Sequence, residues 1–125
     1  MKEIESVKNA QRLTHIIEAI KRIDRSLEGV SRDTFYADED KQGNVVRCFE
    51  IIGEAANHVA KEIQEANPDI PWAAIIGMRN NLIHGYNEID YEIVWEAVQC
   101  NLKGLKERIA DILAVIKLPD DFKQK

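Results

Sequence analysis

Apolar side chains recur at three- and four-residue spacings along nearly all of the 125 residues. That rhythm lines up one face of a helix and no face of a strand. The first stripe, Leu13, Ile16, Ile17, Ile20, Ile23 and Leu27, predicts a helix over residues 4–28 that stops at Gly29. Ser31 can cap a short turn carrying Phe35 and Tyr36. A second long helix follows over residues 39–66, through Val45, Phe49, Ile52, Ala56, Val59 and Ile63. Gly43 weakens its first turn by about 1 kcal/mol relative to alanine, and Asn67-Pro68 ends it. The third helix, residues 71–84, opens on Pro71, which suits a first helical position, and Gly85 can supply a left-handed stop. The last covers residues 90–116. Asp90 caps it, and Ile89 with Val94 makes a hydrophobic staple. Its stripe is Val94, Ala97, Val98, Leu102, Leu105, Ile109, Ile112, Leu113 and Ile116. No stretch alternates as a strand does. The expected fold is all-α: an antiparallel bundle of four main helices plus a short one, forming a single domain over residues 1–118 with a frayed polar tail over residues 119–125.

Such a length can bury a core without disulfides or metals. Apolar residues make up 45% and charged residues 31%, and no apolar run approaches the roughly 18 residues of a membrane span. The first ten residues are charged and hold no apolar signal core. The expectation is a cytoplasmic protein that does not engage a membrane. Cys48 and Cys100 have no metal-ligand spacing and fall within helical patterns, so both are expected as buried thiols of a reducing compartment. The net charge of −5 argues against broad RNA binding driven by charge alone. It leaves room for a local basic cleft and suits a chain whose partner is another protein.

One residue breaks the apolar pattern. With Ile75 at zero and about 100° per residue, Met78, Leu82, Ile83 and Ile76 surround a face centred near 20°, and Arg79 falls at about 40°. Asn80 and His84 fall on the other side, with His84 about 140° from Arg79. An unpaired guanidinium in an apolar interior costs several kcal/mol. Arg79 therefore snorkels, or pairs inside the bundle, or lines a cleft or subunit interface where an anion meets it. Arg79 and His84 can converge on one substrate if the helix ends at Gly85, or if two chains build one cleft.

Other candidates have bland readings beside them. Arg47, Glu50, Glu54 and His58 share a polar face of the second helix. They can form a solvated ion-pair ladder, or Glu54 can orient Arg79. Trp72 and Trp95 read as core or interface anchors, and His15 and His58 have no partners at metal-ligand spacing. No metal and no cofactor are expected.

The segment Met78-Arg79-Asn80-Asn81-Leu82-Ile83-His84-Gly85-Tyr86 resembles the signature of HepT-like HEPN toxins: Arg, four residues, His, one residue, Tyr, with a polar residue after the Arg. The resemblance extends to Ile51-Ile52-Gly53-Glu54-Ala55, to Pro71-Trp72 and to the stretch from Tyr91 to Trp95. It implies a homodimer with paired motifs in one cleft, metal-independent RNA cleavage, and a minimal nucleotidyltransferase antitoxin that transfers AMP to Tyr86. Arg79 and His84 would be catalytic, with Asn80 and Glu54 supporting them. A second reading is a non-catalytic partner domain that binds the nucleotidyltransferase and presents Tyr86 without cutting RNA. A third is a purely structural helical dimer.

Overall fold

A computed structural model describes residues 3–84 and 88–116, with the side chains of Glu3, Ile4, Arg79, Asn81, Ile83 and His84 excepted. The element order is α1 (Glu3–Leu27), α2 (Arg32–Ala37), α3 (Glu39–Asn57), α4 (Lys61–Ala66), α5 (Trp72–Ile76), α6 (Met78–Asn81), β1 (Ile83–His84), β2 (Glu88–Ile89), α7 (Tyr91–Cys100) and α8 (Leu102–Val115). The fold is the all-α helical bundle that the periodicity implies.

Local chemistry sets the ends. Gly29, at φ 72°, takes the left-handed conformation that terminates α1. The Ser31 hydroxyl accepts from the Thr34 amide at 3.1 Å and starts α2. Asp38 accepts from the Lys41 amide at 3.1 Å and starts α3. The Gln42 amide group, itself buried, donates to the carbonyls of Phe35 and Tyr36 and closes the end of α2. At the start of α7 the Asp90 carboxylate accepts from the amides of Glu92 and Ile93, while Val94 is fully buried.

The core lies where α1, α3 and α8 meet. Leu13, Ile16, Ile20 and Ile23 of α1 join Val45, Phe49, Ile52 and Ala56 of α3 and Ile109 and Ile112 of α8 in one buried cluster. Each large aliphatic side chain there contributes about 1.5–3 kcal/mol by leaving water. Phe35 plugs one end of it, against Tyr36, Tyr91 and Trp95 at ring separations of 6.2, 6.2 and 5.5 Å. Trp95 and Trp72 both serve the core, as expected of anchors.

Three of the four expected long helices are interrupted. The second divides at residues 58–60 into α3 and α4. Side chains replace the lost backbone bonds there: Asn9 accepts from the Ala60 amide at 2.9 Å, and Gln64 donates to the carbonyls of Ala56 and Val59. These partners are remote or polar, so an apolar stripe does not reveal them. The third divides at Gly77 and ends at Asn81, not at His84. The last is broken at Asn101, where backbone hydrogen bonds still bridge the joint. A short antiparallel pair, β1 with β2, also forms where no strand was expected. Cys48 is buried as expected, but Cys100 is exposed, because it closes α7 on the side away from Val94. The expected tail over residues 119–125 and the expected stop at Gly85 lie outside the described residues.

Among the described residues no helix is long and apolar enough to cross a membrane.

Two glycines of α3 behave differently. A Cβ on Gly53 would meet the backbone carbonyl oxygens of Ile75 and Ile76 at 3.0 and 3.2 Å, whereas a Cβ on Gly43 would meet nothing within 4 Å. Gly53→Ala is expected to destabilise the chain by about 1–3 kcal/mol. Gly43→Ala is expected to stabilise it by about 0.5–1 kcal/mol, because alanine is the better helix former. Urea denaturation of both variants checks the opposite signs.

Candidate functional site

The chain from Ile70 to Asp90 carries the motif, and its path is held from several sides. Ile70 and Trp72 are buried. The Trp72 indole donates to the Asn67 carbonyl at 3.1 Å, and the Trp72 amide to the Ile70 carbonyl at 2.9 Å. Arg108 of α8 clamps the preceding loop: it donates to both carboxylate oxygens of Asp69, at 2.6 and 3.0 Å, and to the Asn67 side chain at 2.9 Å. This fork holds the Asp69 carboxyl below the usual carboxylate range. The loop that launches α5 is thereby tied to the far end of the sequence.

α5 then lies along α3, touching it closest at Gly53. Gly77 turns the backbone, with its amide on the Ala73 carbonyl at 3.0 Å, and α6 starts at Met78. Leu82, 1% exposed, anchors the exit from α6 in the core. Its carbonyl accepts from the Asp90 amide at 2.7 Å and closes the hairpin, in which His84 stands opposite Glu88 and Ile83 opposite Ile89.

These elements place the candidate residues as follows. Arg79 and Asn80 lie on α6, and Asn80 is exposed. His84 lies on β1, beyond the end of the helix. The 140° helical separation of Arg79 and His84 therefore does not apply, because the backbone changes from helix to hairpin between them. Tyr86 lies outside the described residues. Glu54 is exposed on α3. The expected ladder on α3 is also altered: Arg47 and Glu50 approach to 3.9 Å, but His58 falls past the last turn as the C-cap. Among the described residues no three His, Cys, Asp or Glu side chains gather as a metal site would require.

Residues 16–112 match the family model described as "Ribonuclease HepT-like". The chain belongs to the HepT-like ribonuclease family. Among its relatives is a Caldanaerobacter subterraneus protein named as a putative RNase, 35% identical over 101 residues, which cover 81% of this chain and 90% of that one. A Thermococcus cleftensis protein named "Probable ribonuclease HepT" is 34% identical over 94 residues, covering 75% and 86% of the two chains. A Methanocaldococcus jannaschii protein, also named as a putative RNase, is 34% identical over 104 residues, covering 80% and 86%. No solved structure matches the chain.

In this HepT-like chain the matched region takes in α3, the motif segment and most of α8, so every element that fixes the path of the motif lies inside it. Glu50 is half-buried on α3, while Glu54 is exposed. Burial also pushes the Cys48 thiol up, against a smaller lowering by Arg22 and Arg47. Cys48 is packed in the core cluster.

Proposed function

We propose that this chain is a toxin-type endoribonuclease that cleaves RNA by attack of the 2′-hydroxyl, without a metal ion, and that it works as a homodimer. The observation that carries the reading is the complete Arg79, Asn80, His84, Tyr86 pattern in a chain of the HepT-like ribonuclease family. A partner domain that only bound another protein would need no such set.

RNA carries its own nucleophile, so the protein has to move protons and stabilise charge. His84 takes the proton of the 2′-hydroxyl as general base, a role suited to an imidazole near neutral pH. The 2′-oxygen attacks the adjacent phosphorus, and the bond to the 5′-oxygen of the next nucleotide breaks. The second subunit's copy of the same histidine protonates that leaving oxygen. Arg79 holds the phosphate through two parallel hydrogen bonds and stabilises the charge that builds in the transition state. Asn80 supports the arginine or a phosphate oxygen. The products are a 2′,3′-cyclic phosphate and a 5′-hydroxyl. With His84 on a hairpin just after α6, the helical spacing that would hold it about 140° from Arg79 no longer applies, which supports the two acting on one phosphate.

Arg79→Ala and His84→Ala should each lower cleavage by at least about 10²-fold, the usual contribution of such groups, while the helical circular-dichroism signal stays. Cleavage should persist in EDTA. Undiminished activity in His84→Ala removes its role as base, and loss on chelation points to metal chemistry. Light scattering at micromolar concentration should give a dimer mass; a monomer that still cuts RNA removes the two-subunit site.

The same reading assigns a partner, a minimal nucleotidyltransferase antitoxin that transfers AMP from ATP to the Tyr86 hydroxyl with release of pyrophosphate. Tyr86 follows His84 by two residues and is flanked by Gly85 and the polar Asn87. An AMP group there brings bulk and negative charge to a site meant for phosphate, and both oppose RNA entry. Intact mass after incubation with ATP and the nucleotidyltransferase should rise by AMP units for the wild type and not for Tyr86→Phe. Equal modification of both, or full activity of the modified wild type, rejects this regulation.

A further inference from the structure

The segment that carries the motif cannot hold itself in place. α5 has five residues and α6 has four, well below the roughly 12 at which an isolated helix persists in water. Pro71, at the cap of α5, makes no side-chain capping bond. α3 supports the segment on one side. Toward α7 and α8 lies a cavity of about 460 Å3, with Ala74, Ile75 and Met78 on one wall and Ala97, Leu102 and Leu105 on the other. On that side packing gives the segment little to rest on.

Hydrogen bonds tie it across the gap at both ends. At the exit, the Asp90 amide, just ahead of α7, donates to the Leu82 carbonyl at 2.7 Å. At the entrance stands Arg108 of α8, which also borders the cavity. Its guanidinium fills both carboxylate oxygens of Asp69, at 2.6 and 3.0 Å, and reaches the Asn67 side chain at 2.9 Å. Asp111, one turn further along α8, accepts from the same group at 3.3 Å and braces it. Asn67 passes the grip on. Its side-chain amide donates to the Ile63 carbonyl of α4, and its own carbonyl accepts from the indole of Trp72, the first residue of α5. A simple exposed ion pair contributes little, but a two-bonded fork within a network fixes orientation as well as energy.

We infer that Arg108 is a positioning residue for the motif: through Asp69 and Asn67 it fixes where α5 begins, and so keeps α5 and α6 from shifting across the cavity. Its consequence for RNA cleavage rests on the proposed ribonuclease reading; its hold on the segment does not.

The test uses the full-length chain and begins without RNA. Arg108→Met keeps the aliphatic stem and removes every bond of the fork. Amide hydrogen exchange, read by mass spectrometry, should rise on the order of tenfold over residues 72–82 and stay unchanged over residues 13–23 in the core of α1. Asp69→Ala should act in the same direction, and the double variant should exceed Arg108→Met by little, because the two side chains serve one contact. Arg108→Lys, with the charge but not the fork, should fall between Arg108→Met and the wild type. In the cleavage assay Arg108→Met should lower kcat on the order of 10- to 100-fold, as for misplaced reacting groups, with KM and its salt dependence nearly unchanged. Unaltered exchange over residues 72–82, or an equal rise over residues 13–23, overturns the inference. So does a loss confined to KM with a shallower salt dependence, which would make Arg108 a direct phosphate contact. A wild type that cuts no RNA defeats the proposed function, and the exchange data then decide the role of Arg108 alone.

Discussion

Everything around the motif depends on how closely α3 can approach α5. The approach is set by a missing side chain: at Gly53 the nearest atoms to a hypothetical Cβ are two backbone carbonyl oxygens, those of Ile75 and Ile76. Carbonyls at the end of a short helix cannot rotate aside as a flexible side chain can. Close contact there fixes the height of α5, and through Gly77 the position of α6, on which Arg79 lies. Leu82 and the Asp90 amide then fix where the chain leaves α6 and turns into the hairpin bearing His84. The arginine and histidine proposed to act on RNA sit on different local structures and would need such fixed points, because an error of about 1 Å in placement can cost about 10²-fold in rate.

The bundle was legible because its signal is additive. Leu13, Ile16, Ile20 and Ile23 each mark the same face, and all four are buried. Caps at Ser31, Asp38 and Asp90 and the left-handed Gly29 could be placed for the same reason, each being a local choice with a local cause. The interruptions were not legible, since they depend on partners far away in sequence. The gap between α3 and α4 exists because Asn9, 51 residues earlier, accepts from the Ala60 amide. The early end of α6 exists because Leu82 turns into the core and pairs with Asp90. Apolar Ile83 continues the helical rhythm, so periodicity alone carries the helix one turn too far.

The same limit governed the site. Periodicity marked Arg79 as out of place on an apolar face and left His84 undecided; the two became a set only through the resemblance to the family motif. Spacing put Glu50 and Glu54 on one polar face of α3, and it could not show that Glu50 is half-buried while Glu54 is exposed. The acidic net charge of −5 acquires a role in this arrangement. Generic attraction to phosphates is weak in such a chain, so on the proposed function RNA is held by a few directed hydrogen bonds, which an arginine's planar fork can supply.

The central claim is that the RNA supplies the nucleophile. The most direct measurement compares an oligoribonucleotide that the chain cuts with the same oligonucleotide carrying a single 2′-deoxy substitution immediately 5′ of the scissile phosphate, followed by end-group analysis of the products. The account predicts cleavage of the ribose substrate to a 2′,3′-cyclic phosphate and a 5′-hydroxyl, and no cut at the substituted position. Cleavage at the 2′-deoxy position, or products ending in a 5′-phosphate, would contradict it, because the attacking oxygen would then have come from water.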